Sequence, residues 1–211
     1  MTKAAWRAKQ LLTDGFSDMT TALIWLRNDL RLTDNPALLS AATHDRLLPV
    51  FILDTDTSPE PGPGGASRWW LHESLSALDA ALRQRGSRLF CARGGAVATL
   101  VDLAGRTGAS HVFWNRRFDP GGAETDRNVA AALRERGLVV STDRGGLLFE
   151  PGEIQRADGG PFKVFTPFWK TCLRTGLDAG TAAAPRSLPR PPDAPAGPVE
   201  KLGLLPRIHW Y

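Results

Sequence analysis

The 211-residue chain has no apolar run approaching the roughly 20 residues that a membrane-spanning helix needs. Its first residues begin basic but lack a long apolar core and a small-residue cleavage site, so they do not read as a secretion signal. Cysteine is scarce. Cys91 and Cys172 have no metal-ligand spacing, and Cys91 lies in an apolar strand pattern where a thiol packs as a small hydrophobe. This usage points to a reduced setting, with cytoplasmic localisation the expectation. His44, His72, His111 and His209 also lack metal spacing and read as surface or capping residues. No Gly-x-Gly-x-x-Gly follows the first apolar run, and there is no Walker loop, no Gly-x-Ser-x-Gly elbow and no cysteine with a plausible histidine partner. These absences count against dinucleotide binding, a P-loop NTPase, a self-contained hydrolase and a metalloenzyme. The net charge of +4 is dominated by arginine, but the basic residues are spread along the chain, which is a weak signal for a nucleic-acid surface.

What is present is a strict alternation of strand and helix patterns. Residues 22–26 form a short buried apolar run, and a turn carrying Arg27, Asp29, Arg31 and Asp34 follows. Asp34 or Asn35 then caps a helix that opens with Pro36 and runs to about residue 43. In an open α/β sheet ligands bind at such carboxyl ends of strands. An equally simple reading is that these charges pair with one another and tie the turn down. Residues 46–54 read as a second buried strand, in which Pro49 is tolerable near a strand start or an edge. The Pro- and Gly-rich stretch 55–66 excludes regular structure. Ser67 is placed as the cap of a helix to about residue 85, with Leu71, Leu75, Leu78 and Leu82 on one face and Gly86 ending it.

A third strand over 88–92 leads through Gly94-Gly95 into a helix with Val97, Leu100, Val101 and Ala104 inward, closed by Gly108. Residues 111–115 and 138–142 complete a set of five strands, with a helix from Pro120 to Gly137 between them. This predicts an α/β fold: a doubly wound, mostly parallel sheet with helices on both faces. Trp25, Trp114, Trp69 and Trp70 are expected to pack in the core, and the aromatics of 147–152 and 162–173 against the sheet edge. Residues 177–200 are rich in Ala, Pro and Arg, have almost no large apolar side chain and read as a surface linker. The chain divides into an extension (1–18), an α/β domain (19–176) and a Pro/Ala-rich linker (177–211). Polar groups gather at strand ends: Asp54 after the second strand, Asn115 with Arg116 and Arg117 after the fourth. A pocket floored by Phe51 and Leu53, with Arg68 as a cation, would take a flat anionic heterocycle; alternatively Arg68 pairs with Asp54.

Five segments in order resemble the DNA photolyase and cryptochrome family: Trp25-Leu-Arg-Asn-Asp-Leu-Arg-Leu-Thr-Asp-Asn-Pro-Ala-Leu38, Phe51-Ile-Leu-Asp54, Ser67-Arg-Trp-Trp-Leu71, Phe113-Trp-Asn-Arg-Arg-Phe-Asp-Pro120 and Lys163-Val-Phe-Thr-Pro-Phe-Trp-Lys170. The resemblance implies a Rossmann-like, three-layer α/β/α domain with strand order 3-2-1-4-5 that holds a light-harvesting antenna, a folate, a deazaflavin or a flavin. Excitation then passes to FAD in a larger helical domain. By motif match it implies antenna-binding roles for Phe51, Asp54, Arg68, Asn115 and Arg117, the segments that line the pocket of deazaflavin-type members. Folate-type members carry an Asn-Glu pair where this chain has Gly121-Gly122, so deazaflavin or FMN is favoured. The FAD-binding helical domain is expected to follow the linker and lies outside this chain. No catalytic residue is therefore expected here, and repair of cyclobutane pyrimidine dimers belongs to the full-length protein. The helical domain is the expected partner, DNA is contacted only through it, no membrane is involved, and self-association through the exposed interdomain face is possible in its absence. The alternatives are a stand-alone nucleotide-binding or interaction module of the same fold, and a fragment of a cryptochrome photoreceptor.

Overall fold

Alternating side chains of β1 (Thr21–Leu26) point to opposite sides of one sheet, and both sides are covered. Ala22, Ile24 and Leu26 pack with α1 (Pro36–Ala41) and α2 (Gly65–Arg83), whereas Leu23 and Trp25 pack with α3 (Ala96–Thr107) and α4 (Pro120–Arg134). The computed structural model describes residues 19–55, 63–176 and 181–205. The expected extension at 1–18, the centre of the Pro/Gly-rich loop and the last six residues lie outside these.

The strands β2 (Arg46–Leu53), β3 (Phe90–Arg93), β4 (His111–Asn115) and β5 (Val139–Asp143) complete a five-stranded, all-parallel sheet in the order β3-β2-β1-β4-β5. Its switch point lies between β1 and β4, beside the opening turn. Pro49 is accommodated because β3 begins only opposite Val50. Two residues earlier the Leu47 N–H bonds the Arg190 carbonyl outside the sheet, so the alternating N–H that Pro49 lacks would face a side with no strand partner.

Several expectations are corrected. Ser67 does not cap α2: the helix starts at Gly65 after an extended Gly64 with no side-chain cap. Leu75, Leu78 and Leu82 of α2 are buried and Leu71 packs half-buried against them, but the helix start before Leu71 overhangs the sheet, and Trp70 stands 68% exposed rather than in the core. On α3, Leu103 joins Leu100 and Ala104 fully in the core, while Val97 and Val101 pack against it half-buried. The helix α5 (Phe165–Thr175) buries only Cys172; Phe165 is 70% exposed, and Val164, Trp169 and Leu173 also face outward. The post-sheet aromatics therefore do not cover the sheet edge.

The stretch expected to be a linker covers it instead. Residues 181–205 run back along the β3 side as a strap, burying Leu188, Val199, Leu202 and Leu204 in the core. A Pro-rich extended chain has few N–H groups but a full row of carbonyls. The rest of the domain supplies the donors: Asp34 N–H to Ala182, Leu47 N–H to Arg190, Cys91 N–H to Gly197, and the guanidinium groups of Arg85 and Arg88 to Pro185 and Ala194. At Gly197 a Cβ would sit 2.6 Å from the Cys91 carbonyl and 2.7 Å from the Phe90 ring, so the close approach needs glycine.

Candidate functional site

A cleft of 610 Å³ opens where β1, β2 and the β4–α4 turn converge at the carboxyl end of the sheet. Trp25, Phe51 and Leu53 give it apolar walls, Asp54 and Asn28 lie at the ends of β2 and β1, and Leu71 of α2 closes one side. The opposite wall is the start of α4. Asp119 caps that helix, its carboxylate accepting from the Gly122 N–H at 2.6 Å, and Gly121, Gly122 and Thr125 face the cleft. Gly122 has a steric reason to lack a side chain: a Cβ there would meet both Asp119 carboxylate oxygens at 2.7 Å. The volume and the mixture of aromatic walls with a few polar groups suit a small planar ligand.

Beneath the cleft lies a buried charge network. Arg27 leaves the end of β1 and donates to Asp126 of α4 at 3.1 Å and to the Asn115 carbonyl. Its guanidinium lies 4.3 Å from the centre of the Trp25 ring, which in turn meets Trp114 edge-on at 5.6 Å. Burial lowers the Arg27 pKa to about 10, against the opposing pull of Asp126, so the group stays charged at neutral pH. Arg117 completes the arrangement with two side-chain donors to Asp126, at 3.1 and 2.7 Å, and a backbone donor at 3.2 Å. One carboxylate thus anchors two arginines from two strand ends to one helix.

Of the residues singled out in the sequence, Phe51, Asp54 and Arg117 come together around the cleft. Arg68 is exposed on the overhanging start of α2 and is not part of the cleft lining. Asn115 is 4% exposed and turned away into the protein. Its amide donates to Asp29 and to Asn35 at 2.8 Å, and its Oδ1 accepts from the Ala37 N–H at 3.2 Å. Asn115 thus joins the β1 turn to the start of α1, where Asn35, not Asp34, provides the cap by accepting from the Leu38 N–H. Asp34 takes a left-handed conformation (φ 51°) that its short polar side chain tolerates, with its carbonyl held by the Arg31 guanidinium. The opening charges therefore tie the turn. Asp126 was not anticipated, although it falls on the same helical face as Val129, Ala130 and Leu133. An acid on a buried face calls for a cationic partner.

The family model described as DNA photolyase matches residues 22–192 of this chain. The chain belongs to the DNA photolyase family. Among its relatives, the deoxyribodipyrimidine photo-lyase of Agrobacterium fabrum is 44% identical over 170 residues, covering 80% of this chain and 35% of that protein. Cryptochrome-2 of Arabidopsis thaliana is 37% identical over 187 residues, covering 86% of this chain and 31% of the relative. The crystal structure of a bacterial class III photolyase from Agrobacterium tumefaciens superposes with a TM-score of 0.81 at 42% identity, covering 91% of this chain and 40% of the other. An archaeal photolyase from Sulfolobus tokodaii, solved with two FAD molecules, shares the fold at a TM-score of 0.70 and 22% identity over 88% of this chain and 41% of its own. The photolyase-like domain thus spans well under half the length of these relatives and corresponds to their N-terminal α/β domain.

Proposed function

We propose that this chain is the light-harvesting-chromophore domain of a cytoplasmic deoxyribodipyrimidine photolyase, whose light-driven repair of cyclobutane pyrimidine dimers requires a further FAD-binding helical domain. The observation that carries this reading is the cleft at the sheet's carboxyl end, walled by Trp25 and Phe51 and bordered by Asp54, Arg117 and the start of α4. The residues fit a flat chromophore, which when bound absorbs light and passes excitation onward. The chain's own part is to hold and orient it: the two rings exclude water, and Arg117, fixed by Asp126, holds a cation at one wall.

Deazaflavin or FMN is favoured over folate. Supporting this, a side chain at Gly122, where folate-type members carry a Glu, would displace the Asp119 carboxylate that caps α4. The outward aromatic face of α5, with Phe165 and Trp169 stacked 6.3 Å apart, supports docking to the helical domain, through which DNA is contacted. The test is to mix the purified chain with a deazaflavin, FMN or a folate, remove free ligand and record the near-visible absorption. Uptake of deazaflavin or FMN in preference to folate is expected; failure to retain any of the three overturns the reading.

A further inference from the structure

On the flank of α4 away from the cleft, a second cavity of 330 Å³ opens between α4 and the edge strand β5. Four guanidinium groups line it, those of Arg116, Arg117, Arg127 and Arg134, against one carboxylate, Asp126. Arg116 is held by Glu150 at 2.5 Å and Arg117 by Asp126 at 2.7 Å. Arg134 reaches only the Val140 carbonyl at 3.5 Å, and Arg127 has no ion-pair partner among the described residues. Arg127 and Arg134 are thus the two arginines of the groove without a carboxylate partner among the described residues. Arg127 and Arg134 are two turns apart on the same face of α4, and the small Ala130 and Ala131 between them keep the floor low.

We propose that this groove binds a phosphate ester, gripped by Arg127 and Arg134, with its organic part resting on the alanines. A phosphate monoester carries about −1.5 to −2 charge at neutral pH, which matches the two free guanidinium groups. Arginine also presents paired N–H donors in the fork geometry that phosphate oxygens accept. The cavity lies at the small end of the range for ligand sites, which suits a mononucleotide rather than a dinucleotide. The groove does not depend on the chromophore reading, because the two cavities share only Arg117 in their linings. The phosphate has two possible sources, a free nucleotide or the phosphorylated tail of a chromophore in the neighbouring cleft.

The experiment titrates the purified chain with AMP, FMN and riboflavin at low ionic strength, by calorimetry and by melting temperature. Saturable binding of AMP or a preference for FMN over riboflavin is expected, weakened at least about tenfold by Arg127→Gln/Arg134→Gln and unchanged by Arg83→Gln/Arg106→Gln. The second pair removes equal charge from exposed sites on α2 and α3. An FMN preference that vanishes in the groove variant assigns the phosphate to the chromophore tail, and AMP binding alone assigns it to a separate nucleotide; both uphold the site. No saturable binding of AMP together with no FMN preference, or equal loss in both double variants, overturns it. Retained AMP binding with no chromophore uptake supports the groove and counts against the antenna reading.

Discussion

Asn115 looked like a ligand-binding residue because it ends a parallel strand, and the structure shows why strand position alone does not decide the matter. Its amide can face outward to a ligand or sideways to the next loop, and in this chain it faces Asp29, Asn35 and the Ala37 N–H. Asn115→Ala removes three hydrogen bonds and leaves a buried N–H without a partner, so a loss of about 2–3 kcal/mol in urea unfolding is expected, and a change under about 0.5 kcal/mol would contradict the hub role. Cys91 gives a second test. Burial, with Asp79 and Glu200 nearby, pushes its thiol up to about 12, so it stays protonated at about pH 8 and iodoacetamide should label its peptide only in denaturant. His111 is held below the usual imidazole range by burial and by His44, whose ring lies 4.7 Å away. Its unfolded state therefore takes up a proton first, and stability is lost as pH falls below about 6.5. Urea midpoints at about pH 7.5 and about pH 5.5 should differ less in His111→Gln than in the wild type, and an unchanged difference would remove His111 as a cause.

At the scale of elements, the five strands were legible because short continuous apolar runs, buried on both faces, alternate with amphipathic helix patterns, whereas their order came only from the family resemblance. The strap was not. Its contribution comes from four scattered apolar side chains and a row of carbonyls, and neither produces a periodic pattern. The Arg27–Asp126–Arg117 network was hidden for a related reason: the acid lies far along the chain from Arg27, and only the fold brings it to the strand ends. The strap rests on one tight contact, which makes it testable. Gly197→Ala would drive a methyl into the Cys91 carbonyl and the Phe90 ring, and a loss of about 1–3 kcal/mol is expected in thermal or urea unfolding. An unchanged melting temperature would mean that the strap can lift from β3 at no cost.

Across the whole molecule the two sheet edges are treated differently. The β3 edge is closed by the strap, whereas β5 keeps Val139 exposed and borders the arginine groove. The outward face of α5 is a further open surface. Replacing Phe165 and Trp169 by serine should change stability by no more than about 0.5 kcal/mol, since both are substantially exposed, while reducing association of the isolated chain in concentration-dependent sedimentation. A wild-type chain that sediments as a monomer at every concentration would argue against self-association through this face. The strap also has a consequence for biosynthesis. All five strands leave the ribosome before residues 181–205 do, so the nascent sheet waits with an unpaired β3 edge and with the seats of Leu188, Val199, Leu202 and Leu204 empty. The last part of the domain to be translated is the part that seals it, and the interval before it emerges is when the young chain is most exposed to aggregation or to capture by a chaperone.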